Sequence, residues 1–177
     1  MRKIGKIFRF LLPVIALAAL VVFMTGAGRR ERATVEKNKA TAMRYADEVW
    51  NKGDMAVADE ILASNMIRHL DSVPEGAIRG RDALKQYIMA CRTAWPDIHV
   101  TVTDVIAKGD KGMARGVWSG TFTGKVEGFP PPNGKEMVVG WMNMFRFAGG
   151  KIAEEWIFQE DLFMFSQMGM KLVPAGK

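Results

Sequence analysis

Ala94-Trp95-Pro96-Asp97-Ile98-His99-Val100-Thr101-Val102-Thr103, residues 94–103, is the stretch at which the chain changes period. Proline disfavours the helical region for the residue before it, so Trp95 ends whatever helix precedes it. Past Pro96 the apolar positions Ile98, Val100 and Val102 alternate with His99, Thr101 and Thr103, the period of two of a half-buried strand. Lys108-Gly109-Asp110-Lys111-Gly112 reads as a turn, and a second strand is predicted over Met113–Gly124. Gly128 to Gly134, with Pro130-Pro131-Pro132 inside it, reads as a rigid loop. Two further strands, Lys135–Phe147 and Lys151–Gln159, are joined by the tight turn Ala148-Gly149-Gly150, and Asp161–Met168 reads as a short closing helix.

Upstream of residue 94 the period is helical. Val35, Ala42, Tyr45, Ala46 and Val49 fall on or near one stripe between Thr34 and Lys52. Gly53 suits a left-handed helix cap, and Asp54 is placed to N-cap a second, shorter helix through Ile61 and Leu62. Asn65–Leu70 reads as a short strand, Asp71–Gly80 as a loop, and Asp82 opens a third helix that runs to Trp95. Helices first and a run of antiparallel strands afterwards is the α+β pattern.

With 177 residues there is room for one domain with a substantial core and not for two. An apolar share of 49% excludes a disordered chain. The net charge of +6 is concentrated in Arg2, Lys3, Lys6 and Arg9; setting those four aside from the 25 Lys and Arg leaves 21 against 19 Asp and Glu. No basic stripe remains, which argues against nucleic acid as a partner. Cys91 is the single cysteine, so no disulfide forms within the chain, and its helical surroundings read it as a small buried hydrophobe. His69 and His99 lie 30 residues apart without acidic residues at coordinating spacing, so no metal site is expected. Neither a glycine-rich phosphate loop nor a Gly-x-Ser-x-Gly elbow occurs, and no cofactor is expected.

Residues 1–9 are basic and 10–28 carry no charge. That layout fits a signal peptide cleaved after Ala27, or an uncleaved anchor, since roughly 20 uncharged residues span a bilayer. Arg29, Arg30 and Arg32 follow at once. Export or tethering at a membrane is expected, and the two alternatives stay open. The chain divides on this reading into the N-terminal segment 1–28, a linker 29–35, a folded domain 36–170 and a tail 171–177.

Glu48-Val49-Trp50-Asn51-Lys52-Gly53-Asp54, Ala94-Trp95-Pro96-Asp97, Gly120-Thr121-Phe122-Thr123-Gly124, the 128–134 loop and the run from Phe145-Arg146-Phe147 to Trp156 stand in a telling order and spacing. Together they resemble the SnoaL-like ester and polyketide cyclases, within the nuclear-transport-factor-2-like superfamily, over about residues 36–169. The resemblance implies a curved antiparallel sheet wrapped on N-terminal helices around a deep pocket, and acid–base closure of a carbonyl compound without metal or cofactor. It also implies that His69 is the family's pocket histidine. The family's acid/base aspartate falls on Ile157, its second histidine on Asn143, and the polar neighbour of that histidine on Trp141. Glu155 stands where many relatives have a histidine.

Residues i and i+2 of a strand share a face. Trp141, Asn143 and Phe145 therefore form one set, and Glu155, Ile157 and Gln159 another, facing the pocket. Trp156 and Phe158, of opposite parity, are expected to pack under the helices, with the pocket on the other side of the sheet. Met113, Met137, Met142 and Met144 either fill core or make the pocket adaptable. The candidate acid–base groups are His69 and Glu155, and the candidate ligand-binding set is Tyr45, Trp118, Trp141, Asn143, Ile157 and Gln159. Three functions are consistent with these residues: a cofactor-free cyclase or isomerase acting on a small apolar carbonyl compound, a carrier or sensor for such a molecule, and a homodimer paired through its open sheet face.

Overall fold

The computed structural model describes residues 28–70, 75–125, 130–171 and 173. Of the segment 1–28 read as a signal or anchor, residues 1–27 lie outside the described residues, as does most of the tail 171–177. Among the described residues no helix is long and apolar enough to cross a membrane.

The first helix, α1, covers residues 28–44 and widens without a break into a π-helical stretch, Tyr45–Asn51. It begins before the expected Thr34, so the stretch read as a linker is helical and largely exposed. Gly53, at φ 71°, turns the chain. The Asp54 carboxylate then accepts from the Ala56 and Val57 amides at 3.0 and 3.1 Å, capping α2, Met55–Ile61, as the sequence predicts. β1 is Leu62–His69. The expected loop after it contains a three-residue strand, β2, Ala77–Arg79, antiparallel to β1. α3, Arg81–Ala94, ends where Trp95 precedes Pro96. Four strands follow, β3 His99–Lys108, β4 Lys111–Thr121, β5 Glu136–Ala148 and β6 Lys151–Gln159, and α4, Asp161–Gln167, closes the fold.

The six strands form one sheet in the order β2-β1-β6-β5-β4-β3. All pairs are antiparallel except β1 with β6, which run parallel. The sheet is therefore mixed, which corrects the all-antiparallel expectation. Adjacent strands joined by turns announce antiparallel pairing in the sequence, but a pairing between strands some 90 residues apart leaves no local signal. Register shifts between Val102 and Asp104 and between Arg146 and Phe147 bend the strands. At one point strands crowd: a Cβ on Gly116 of β4 would sit within 1.8 Å of the Thr101 carbonyl oxygen of β3, so only glycine fits there.

The helices cover the same face of the sheet that carries Trp141, Phe145 and Phe147, all buried with Tyr45, Trp50, Leu84 and Ile88 in one core. The expectation that the helices and the pocket occupy opposite faces is corrected. Phe158 is 58% exposed, and Trp156 is half-buried with its ring stacked on that of His69, 5.0 Å between centroids. The bent sheet stands off from the helices, so one face provides both core and cavity and the other remains open.

Candidate functional site

Between the helices and the sheet lies a cavity of about 510 Å³, walled mainly by aromatic and aliphatic side chains. Its sheet side presents Trp118 from β4, Trp141, Asn143 and Phe145 from β5, and Ile157 and Gln159 from β6. Register sets Asn143 directly beside Ile157 and Trp141 beside Gln159, so the two sets read from strand parity do meet. The helical side presents Tyr45 and Trp50 from the π-helical stretch and Tyr87 and Cys91 from α3. All six residues of the predicted ligand-binding set line this cavity.

The polar corner of the cavity is built where α1, β1, β5 and β6 converge. Glu155 is completely buried and sits opposite Phe145 in the β5–β6 ladder. The parallel pairing puts Arg68 of β1 beside it, and Arg68 Nη1 donates to Glu155 Oε2 at 2.8 Å. The Tyr45 hydroxyl donates to the same oxygen at 3.1 Å and accepts from Arg68 Nη1 at 3.1 Å. Asn143 Nδ2 donates to Glu155 Oε1. Arg68, itself 3% exposed, lies against the faces of Trp50 and Tyr87, 5.2 and 5.8 Å from their centroids. A charge this deep survives only when paired and hydrogen-bonded, and here both conditions are met.

The electrostatics follow from that packing. Burial pushes the Tyr45 hydroxyl far above its ordinary range, and the adjacent Glu155 charge pushes the same way, so Tyr45 is a neutral donor. Burial opposes the charge of Arg68, but the Glu155 carboxylate outweighs it and the guanidinium is held firmly protonated. Burial likewise raises the Cys91 thiol, which keeps it protonated and unreactive. Three buried polar atoms on the lining residues have no hydrogen-bond partner: Arg68 Nε, Trp141 Nε1 and Asn143 Oδ1.

The two predicted acid–base groups fall elsewhere than expected. Glu155 is not on the cavity wall; it lies behind Tyr45, Asn143 and Arg68, which are. His69 is not brought to the cavity either, and this corrects its placement as a pocket histidine. Near the end of β1 the buried positions are Met66 and Arg68, and Leu70 just past the strand is buried too, so His69 points to the other face of the sheet. There its Nε2 pairs with Glu154 Oε1 at 3.0 Å, and Glu154 Oε2 takes Arg146 Nε at 2.9 Å. No carboxylate and no imidazole line the cavity among the described residues. Sequence reasoning missed Arg68, Trp50 and Tyr87. Met66-x-Arg68-x-Leu70 carried the signal for the first: an arginine between two apolar residues of its own parity belongs on the buried face.

A model of the SnoaL-like polyketide cyclase family matches residues 40–168, which takes in every element from the end of α1 to α4. The chain belongs to that family. This SnoaL-like protein also resembles solved structures. IdmH from Streptomyces antibioticus, a candidate polyketide cyclase, is 27% identical with a TM-score of 0.65, over 75% of this chain and 99% of its own. TsrD from Streptomyces laurentii is 25% identical with a TM-score of 0.64, over 78% of this chain and 96% of its own. A candidate polyketide cyclase from Xanthomonas campestris shares the fold at a TM-score of 0.68 and 20% identity, over 76% of this chain and 98% of its own. Among curated proteins no match is found.

Proposed function

We propose that this SnoaL-like protein holds a small apolar molecule carrying a carbonyl group in the cavity between helices and sheet. The observation that carries this reading is the contrast within the cavity: aromatic walls around about 510 Å³, and one corner where Tyr45, Arg68 and Asn143 gather polar groups. Apolar walls take the body of the ligand by burial, and a few fixed polar groups orient it. The family's chemistry is acid–base closure of such compounds, which gives the enzyme reading its weight.

A second reading, binding without turnover, is favoured by a separate observation. On the resemblance, the family's aspartate falls on Ile157, and Glu155 has both oxygens committed to hydrogen bonds. A carboxylate held this way behind Tyr45, Asn143 and Arg68 is out of hydrogen-bond reach of a ligand in the cavity, which a general base must have. Titration of the purified protein with an apolar dye or a steroid-like ketone tests both readings. Binding is expected to quench tryptophan fluorescence, and Trp141→Ala to weaken it by about 1–3 kcal/mol, the usual worth of a buried aromatic anchor. Mass spectrometry of the ketone after prolonged incubation then separates the readings, since recovery of the unchanged compound supports the binding module. Absence of any apolar ligand binding would retire both.

A further inference from the structure

We propose that Arg68 is the group that meets the ligand's oxygen, with Glu155 as the positioning residue that holds it, so that the cavity selects neutral carbonyl compounds over carboxylates. This rests on the cavity-binding reading above. A guanidinium has five N–H groups in a planar fork. Arg68 Nη1 uses both of its hydrogens, on Glu155 and on the Tyr45 hydroxyl. The Nε–H is buried without a partner. The Trp50 and Tyr87 rings hold the fork in place from its faces. What remains unfilled is hydrogen-bonding capacity on a cavity-lining cation, and a buried donor left unpaired is costly until an acceptor reaches it. An oxygen on a ligand is the acceptor this arrangement lacks.

Charge decides which oxygen. Arg68 and Glu155 cancel, so the corner is polar but carries no net charge. The other charged residue on the wall, Lys125, is exposed, where water screens it. A carboxylate ligand would surrender its hydration to meet a guanidinium already neutralised, with the Glu155 charge behind it. A ketone keeps the hydrogen bond and incurs no such repulsion. Glu155 touches only protein groups in this scheme, and its effect reaches the ligand through Arg68.

Three probes that share one aromatic body test the proposal: 2-acetylnaphthalene, 2-ethylnaphthalene and 2-naphthoate, titrated calorimetrically into the full chain. The wild type is expected to bind the ketone about tenfold or more tighter than the hydrocarbon, as a hydrogen bond to a charged donor requires. In the double variant Arg68→Met/Glu155→Met, which removes both charges together, that ratio should collapse to about twofold or less. Glu155→Gln leaves the cation without its counter-charge, so the preference for naphthoate over the ketone should rise by about tenfold or more. A wild type that binds ketone and hydrocarbon equally would overturn the proposal while leaving the cavity reading intact. So would a ratio preserved in the double variant, or an unchanged naphthoate preference in Glu155→Gln. If none of the three probes binds, both fall. Near-UV circular dichroism checks the fold of each variant, and should the double variant fail to fold, Glu155→Gln decides alone.

Discussion

The two faces of β5 and β6 are made by the same strands, one residue apart, and they have opposite character. The covered face buries Trp141, Asn143, Phe145 and Glu155, each below one-tenth exposure, and both oxygens of Glu155 are bound by Asn143, Arg68 and Tyr45. On the open face Met142 and Met144 are 38% exposed, and Glu154 pairs with His69 and Arg146 in reach of water. Polarity therefore does not mark the outside of this sheet. What separates the faces is whether a polar group has any alternative to its protein partner. Outside, water can replace a lost partner; inside, nothing can.

That difference gives a graded set of outcomes. The largest belongs to Glu155→Ala, which strands Arg68 as an uncompensated buried charge. A loss of about 3–5 kcal/mol in unfolding free energy is expected from urea denaturation. A shift below about 1 kcal/mol would mean that water reaches this corner, and the contrast between the faces would break. On the open face, Phe158→Ser should alter stability by no more than about 0.5 kcal/mol, because a side chain more than half exposed gives up little burial. A larger loss that shrinks as the protein is diluted would reveal a second copy on that face.

The smallest effect is a pH effect on the open face. The hydrogen bond from His69, helped by Arg146, holds the Glu154 carboxyl below its ordinary value of 4.5. A depressed carboxylate contributes stability that is fully present above its unfolded value and is lost as pH falls through the folded one. Thermal midpoints of wild type and Glu154→Gln should therefore run parallel near neutrality and converge as pH drops below that ordinary value. Midpoints that stay a fixed distance apart down to strongly acid solution would show that the pair contributes nothing through its charge.

Much of this was legible in the residues. The change of period at Pro96, the Asp54 cap and the turn at Gly149-Gly150 are local, and local rules place them. Strand parity also grouped Trp141 with Asn143 and Ile157 with Gln159 correctly, because a ladder of regular pairs preserves alternation. Two things were beyond its reach. Parity says which residues share a face but not which face the helices cover, so it alone does not place Trp156 and Phe158 on the open side. The site's centre depends on β1 meeting β6, a pairing with no signal in either strand alone. His69 was drawn inward by resemblance to a family position, although Met66 and Leu70 already fixed the neighbouring Arg68 as the buried residue.

The parallel junction of β1 and β6 also orders events in time. Arg68 and Glu155 stand 87 residues apart in the chain, and Tyr45 and Glu155 stand 110 apart. Contacts of such long separation form late, because the intervening chain must be largely arranged before its ends can meet. On a ribosome, β6 emerges after every other strand, so α1, β1 and α3 wait with an unpaired guanidinium among exposed aromatic rings. A half-made site of this kind exposes apolar surface, the feature that makes incompletely folded chains aggregation-prone. Its completion is the step that a bound ligand would reward, since any molecule that binds only the finished cavity draws folding forward by mass action.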